Sequence, residues 1–256
     1  MSSILFVTND KGGAGKSFFT RTLIQYFLDH EFPFVAFDLD LSNPDVYRCM
    51  QGICKVRLAI LSESERLIDS ANAVFNAALE HDVICNLPAQ VGPALQAWIE
   101  NNQLLDLAEE MDVQMRFFFV TDAGFEANKL FIHSVQQYGD RIPHTLVKNY
   151  GLTDDFSPID EDPFVQELLE AFDVDVIALP KFMGAVDRNF IDANSLSFGE
   201  ALTHPDFGPI SQQRIKVFLR KAYEQFDQLP FLKPPAPEVA VAPKQKRSPR
   251  KKGGKA

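Results

Sequence analysis

Short apolar runs alternate with segments of helical periodicity along most of the chain. The runs are apolar at successive positions, which is typical of strands that helices cover on both faces. The predicted strands are Ile4–Thr8, Phe34–Asp38, Val83–Leu87, Met115–Val120, His144–Lys148 and Val174–Leu179. The predicted helices lie near residues 16–30, 63–80, 93–111, 124–138 and 161–172, with a last helix over residues 211–229.

This alternation predicts an α/β fold, in which a single doubly wound domain over residues 1–229 has a mostly parallel sheet flanked by helices. With 256 residues and 46% apolar content, the chain is long enough for one large core. Right-handed crossovers bring the carboxyl ends of parallel strands to one edge, where ligands bind in such sheets. We therefore look for functional residues just after each strand.

The composition changes from Pro230 onwards. Residues 230–256 form a proline-rich linker and a basic tail that we expect to be disordered. Residues 244–256 hold seven of the 25 Lys and Arg residues and no acid, which leaves 18 bases against 35 acids, a net −17, for residues 1–243. This asymmetry favours non-specific DNA contact through the tail, and a purely solubilising tail is the alternative.

A glycine-rich turn, Lys11–Ser17, follows the first strand and opens the first helix. In that context backbone N–H groups and the helix N-terminus converge on phosphate oxygens. Lys16 is then placed to reach the β- and γ-phosphates, and the Ser17 hydroxyl to ligate Mg²⁺. The turn therefore predicts a P-loop that holds a nucleoside triphosphate with Mg²⁺. The predicted nucleotide-binding residues in and directly after this turn are Lys11, Gly12, Gly13, Ala14, Gly15, Lys16, Ser17 and Phe18.

The KGGAGKS form lacks the first glycine of the usual pattern, since Asp10 stands there, and it adds Lys11. In this it resembles the deviant phosphate loop of the ParA/MinD family of ATPases. The resemblance implies that Lys11 reaches the nucleotide of a second subunit, so that ATP holds a homodimer together. It also implies an adaptor or stimulating protein as a partner.

Two carboxylates, Asp38 and Asp40, end the second predicted strand and match the D-x-D of that family. The resemblance implies that Asp40 polarises the attacking water, and that Asp38 holds Mg²⁺ through water. Lys11, Lys16 and Asp40 are therefore the predicted catalytic residues. A carboxylate close to a γ-phosphate is suited to orienting a water molecule.

The third predicted strand departs from the family pattern. Asn86 occupies the position of the Walker B aspartate, and an amide lacks the charge of a carboxylate. We expect weaker Mg²⁺ retention and slow hydrolysis. Gln90, in the following loop, is either a sensor of the γ-phosphate or an ordinary loop residue.

Two later strand ends, Asn149 and the loop at Pro180, resemble the family's adenine pocket. Arg188 follows on a segment that is either a dimer face or plain surface. Three cysteines, the absence of a signal-peptide pattern and the absence of a long apolar stretch predict a cytoplasmic protein with no transmembrane segment.

The function that these features favour is an ATP-dependent dimerising switch that positions or segregates DNA, or a complex linked to DNA. One alternative is a nucleotide-binding scaffold, or a regulator of conjugation or cell-division machinery, with little or no hydrolysis. A metabolic P-loop ligase or kinase is a further alternative, but we find no signature of a charged substrate pocket.

Overall fold

The computed structural model describes residues 2–62, 64 and 66–232. Seven strands form one sheet in the order β3-β2-β4-β1-β5-β6-β7, and every adjacent pair is parallel. The strands are β1 (Ser2–Thr8), β2 (Phe34–Asp38), β3 (Val56–Leu58), β4 (Asp82–Asn86), β5 (Val113–Thr121), β6 (His144–Asn149) and β7 (Asp175–Leu179).

Helices lie on both faces of this sheet. They are α1 (Lys16–Asp29), α2 (Asp45–Met50), α3 (Asn72–Ala78), α4 (Gly92–Asn101), α5 (Leu104–Glu110), α6 (Phe125–Tyr138), α7 (Ser157–Asp160), α8 (Pro163–Ala171), α9 (Ala185–Ala193), α10 (Phe198–Thr203) and α11 (Pro209–Phe226). Short 3₁₀ turns add Ile68–Ala71 and Pro230–Leu232. The predicted fold class, a doubly wound parallel sheet flanked by helices, is confirmed.

The six predicted strands are all present, and the sequence pattern missed only β3. This strand spans three residues at the sheet edge, and Leu58 is 45% exposed. A strand this short and this exposed has no continuous apolar run, so hydrophobic patterning does not reveal it.

Two helix predictions were wrong in extent. The helix expected near residues 63–80 is only α3, because the chain before it makes a 3₁₀ turn whose Ser70 hydroxyl accepts a hydrogen bond from the N–H of Ile60. The helix expected over residues 93–111 is divided into α4 and α5. Gln103 has a φ of 47°, and the Asn102 side chain donates to the carbonyl of Trp98, which ends α4.

Strand β1 shows how the core is divided. Leu5 and Val7 belong to the apolar cluster that includes α1 and α11, whereas Ile4 and Phe6 belong to the cluster with α3 and α4. All four side chains are at most 1% exposed. Burial of each such side chain contributes about 1.5–3 kcal/mol, so β1 is a rigid support for the loop that follows it.

The expected disordered linker was wrong for its first three residues, because Pro230–Leu232 form a 3₁₀ turn in which Leu232 is buried against the core. The rest of the linker and the basic tail, including residues 244–256, lie outside the described residues. The domain boundary after residue 229 therefore stays a prediction. In the described part, the loops after β1, β2, β4, β5, β6 and β7 meet at one edge of the sheet, as the parallel topology requires.

Candidate phosphate-binding site

The turn between β1 and α1 needs glycine at two positions. Gly13 and Gly15 have φ values of 78° and 94°, in the left-handed region that residues with a Cβ rarely adopt. A Cβ on Gly15 would also lie 2.2 Å from the Nδ2 atom of Asn149. The turn thus carries its N–H groups to the start of α1, where the helix dipole favours an anion.

Lys16 is folded back onto the turn. Its ammonium group donates to the carbonyl oxygens of Asn9 at 2.7 Å and Lys11 at 3.2 Å, and the residue is only 7% exposed. Burial lowers the pKa of Lys16 to about 8, against the opposing influence of the Asp10 and Asp40 carboxylates. A buried ammonium group whose hydrogen bonds go to carbonyl oxygens is suited to donate charge-assisted hydrogen bonds to phosphate oxygens.

Two asparagine side chains hold the phosphate loop in place through hydrogen bonds to backbone groups. Asn9 donates to the carbonyl of Val120 at 2.8 Å and accepts from the N–H of Lys11 at 2.8 Å. The Asn149 amide donates to the carbonyl of Ala14 at 2.9 Å. Asn149 therefore positions the phosphate loop, a role that sequence reasoning missed, and its predicted contact with adenine stays a prediction.

The predicted magnesium residues lie together at the ends of β2 and β4. Asn86 donates to Asp38 Oδ1 at 2.9 Å, and its Nδ2 atom lies 3.4 Å from the Ser17 hydroxyl oxygen. The Thr20 hydroxyl lies 3.3 Å from Asn86 Oδ1. Ser17, Asp38 and Asn86 thus form one cluster beside the phosphate loop.

Asp38 is fully buried, and burial raises its pKa although Asn86 and the N–H groups of Tyr47 and Asp40 donate to its carboxylate. Asp40 lies further out. Its carboxylate accepts from the Ser42 hydroxyl at 2.5 Å and from the N–H of Asn43 at 3.2 Å. The two acids therefore have different environments, one dry and one at the cleft wall.

A cleft of about 470 Å³ lies beside the phosphate loop, and Lys16, Ser17 and Asp40 line it, whereas buried Asp38 does not. Its wall combines the phosphate loop with residues of α1, α2 and α9, and includes Asp40. Neither Asn149 nor Pro180 is among the described residues that line it. Its volume falls within the range of small-molecule and cofactor sites.

Three arginines contribute to this cleft: Arg21 and Arg48, which sequence reasoning missed, and Arg188, which it left as either a dimer-face or a surface residue. The guanidinium of Arg188 lies 4.9 Å from the centre of the Phe18 ring. Arg21 is buried and paired with Asp192 at 2.5 Å. They lie on helices at unremarkable positions, so only the tertiary structure brings them to the site.

Lys11 points away from this cleft, towards β5. Its ammonium group makes an ion pair with Asp122 Oδ2 at 2.5 Å. Burial works against a low pKa at Asp122, but hydrogen bonds from Lys11 and from the N–H of Gly124 outweigh it and lower that pKa. Lys11 is therefore held within its own chain by this ion pair.

Fold and loop geometry together define the P-loop class of doubly wound folds. No protein-family model matches the chain. The chain is 24% identical to Protein TraL of Escherichia coli over 240 residues. This aligned region covers 89% of this chain and 98% of that protein.

Solved structures similar to the chain include the MinC:MinD cell division protein complex of Aquifex aeolicus, with a TM-score of 0.49 and 10% identity over 87% of this chain and 96% of that one. Another is a putative plasmid partition protein of Borrelia burgdorferi bound to AMPPNP, with a TM-score of 0.46 and 12% identity; the match covers 88% of this chain and 99% of that one. MinD and a partition protein are thus among its structural neighbours, and KGGAGKS resembles the motif of that family.

None of the helices in the described ranges has the length and hydropathy that a membrane crossing demands.

Proposed function

We propose that the chain is an ATP-dependent switch that binds Mg-ATP in the cleft beside Lys11–Ser17 and dimerises in response. The observation that carries nucleotide binding is the loop itself, with two left-handed glycines and a buried ammonium group that contacts only carbonyl oxygens. Lys16 would bind phosphate oxygens, and Ser17 with Asp38, the latter through a water, would hold Mg²⁺.

Support for dimerisation comes from the exposed apolar side chains around this edge of the sheet. Phe125 is 80% exposed, Met183 64% and Val186 81%, and Leu41 and Leu152 are each 46% exposed. Each of these residues follows the carboxyl end of a strand, directly or at the start of the next helix. Exposed apolar side chains of this kind are suited to an interface, and a second copy of the chain would cover them while sharing the nucleotide.

We further propose that hydrolysis is slow. Asp40 at the cleft wall is positioned to orient a water molecule, but Asn86 removes one negative charge from the magnesium site. The same amide supports the second candidate function, a nucleotide-binding scaffold or a regulator of conjugation or cell-division machinery that hydrolyses little or no ATP.

The cargo that we propose is DNA or a complex linked to DNA, with an adaptor protein as a further partner. The basic tail at 244–256 supports this, because sequence-independent binding depends on Lys and Arg pairing with phosphates. Deletion of residues 236–256 should weaken DNA retention in a salt series. Equal retention with and without the tail would exclude it as the anchor.

Titration with a fluorescent ATP analogue and Mg²⁺ tests nucleotide binding directly. We expect saturable binding that Lys16→Ala weakens by at least about tenfold, the loss of one charge-assisted hydrogen-bond set. Lys221→Ala, which removes a lysine of α11 outside the cleft, is the matched control. Equal affinity in the Lys16 and Lys221 variants would contradict the proposal.

A further inference from the structure

A second cavity lies behind the phosphate loop, on the face of the sheet opposite α1. Its volume is about 260 Å³, and it shares no lining residue with the phosphate cleft. Strand β5 forms its floor, α4 and α6 form its walls, and the end of β1 with Asp10 closes one side.

The walls of this cavity are mainly apolar and aromatic. Phe117 and Phe119 come from β5, Leu95 from α4, and Leu130 and Tyr138 from α6. The Phe117 and Tyr138 rings meet edge to face, with centres 5.6 Å apart. Such walls accept a flat apolar body, and aromatic side chains also favour a cation beside them.

A carboxylate lines the cavity, and its charge also acts on the buried ammonium group of Lys16. Asp10 is the sole Asp, Glu, Lys or Arg among the described residues that line it. Both Asp10 oxygens lie 3.1 Å from the N–H of Gly92, and a carboxylate has further lone pairs to offer. Burial raises the pKa of Tyr138 to about 12, and the charges of Glu100 and Asp10 add to this effect.

The size of the cavity restricts the occupant. An apolar cavity of about 150 Å³ takes up benzene, so the present volume accommodates one ring with a short polar substituent. A dinucleotide or a peptide segment is too large.

We propose that this cavity binds a small organic cation, a single flat ring bearing an amine or amidine group, with the cation directed to Asp10 and the ring against Phe117 and Phe119. The site needs no nucleotide, so this proposal is independent of the function proposed above.

An occupant would lie beside residues that contact the phosphate loop and its flanks. Asp10 connects the phosphate loop to the start of α4 through Gly92. Helix α6 begins directly after Gly124, next to the Lys11–Asp122 pair. The two helical walls of the cavity therefore both contact the segment that holds phosphate.

Calorimetric titration of the full chain with benzamidine tests the proposal, with neutral benzamide as the matched ligand. We expect saturable benzamidine binding, and binding of benzamide that is at least about tenfold weaker, because the carboxylate pairs only with the cation. No saturable binding of benzamidine, or equal affinity for both ligands, would overturn the proposal.

Two variants locate the bound ligand. Asp10→Asn keeps an acceptor for Gly92 and should weaken benzamidine binding by at least about tenfold. Leu130→Phe fills the cavity and should abolish binding, while Gln136→Phe puts the same ring on the exposed face of α6 and should leave it unchanged. If Leu130→Phe does not fold by near-ultraviolet circular dichroism, Gln96→Phe fills the space from α4. Undiminished binding in the filled variant would overturn the proposal.

Discussion

The ammonium group of Lys11 lies 2.5 Å from a carboxylate oxygen of Asp122, at the end of β5 in its own chain. Both side chains are about one quarter exposed, at 27% and 22%. In the dimer that we propose, Lys11 would have to leave this partner to reach the nucleotide of the second copy. The ion pair would therefore oppose dimerisation by a small free energy, about 1 kcal/mol or less for each copy at this exposure.

Asp122→Asn should make the ATP-bound dimer tighter, because it removes the charge that retains Lys11. We expect the dimer dissociation constant, measured by sedimentation with a non-hydrolysable ATP analogue, to fall by up to about thirtyfold, because each of the two copies would release one such pair. Asp154→Asn is the matched control, since it removes the exposed pair with Lys181 at the same edge. A dissociation constant that does not change, or that rises, would show that the pair does not restrain Lys11.

Asn86→Asp should lower the stability of the chain in the absence of metal, and this loss should be reversed when Mg-ATP is bound. The new carboxylate would lie about 3 Å from buried Asp38, where the amide now donates at 2.9 Å. We expect the free energy of unfolding to fall by about 1–3 kcal/mol in EDTA, and to recover with Mg-ATP. Chemical denaturation in both conditions checks this, together with ATP turnover, which should rise. An equal loss of stability with and without Mg-ATP would argue against a magnesium site here.

Nucleotide affinity should depend on pH through Lys16. Its pKa is about 8 in the free protein, and phosphate charges must raise that value in the complex. The affinity is then constant below pH 8 and falls above it by up to about tenfold per pH unit, because binding requires uptake of a proton. Fluorescence titrations from about pH 7 to about 9.5 measure this slope, and the affinity should begin to fall at pH ~8. Lys16→Met should bind weakly and without the slope, and a flat profile in the wild type would contradict the prediction.

Phe125→Ser should reduce dimerisation while leaving nucleotide binding to the monomer intact. The side chain is 80% exposed at the strand-end edge, so its burial against a second copy would contribute about 1.5–3 kcal/mol. Met111→Ser removes an apolar side chain that is 48% exposed just before β5, at the opposite edge of the sheet, and should leave the dimer unchanged. Equal effects of the two substitutions would place the interface elsewhere.

The sequence was sufficient for the parts of this structure that depend on local pattern. Continuous apolar runs marked six of the seven strands, and the glycines of Lys11–Ser17 marked the phosphate loop, because the backbone there leaves few other choices. The sequence pattern did not predict the three-residue strand β3 or the break at Gln103, because each depends on contacts rather than on periodicity.

The finer chemistry of the site required the tertiary structure. The motif resemblance assigned Lys11 to the nucleotide of a second subunit, but nothing in the sequence indicated its ion pair with Asp122, 111 residues away. Asn149 suggested a base contact by resemblance, whereas its amide hydrogen-bonds Ala14 across 135 residues. Arg188 had no motif around it, yet it stacks on Phe18 at the cleft. Long-range pairs of this kind leave no local sequence signal.

Light-scattering measurement of solution mass is the most direct test of the central claim, that ATP held by the phosphate loop joins two copies of the chain through Lys11. Wild type and Lys11→Ala would be compared with ADP, ATP and a non-hydrolysable analogue, each with Mg²⁺. We predict that the mass doubles with the triphosphates in the wild type alone, while Lys11→Ala still binds nucleotide but stays monomeric. A wild-type chain that remains monomeric with saturating triphosphate, or a Lys11→Ala dimer equal to wild type, would contradict the account.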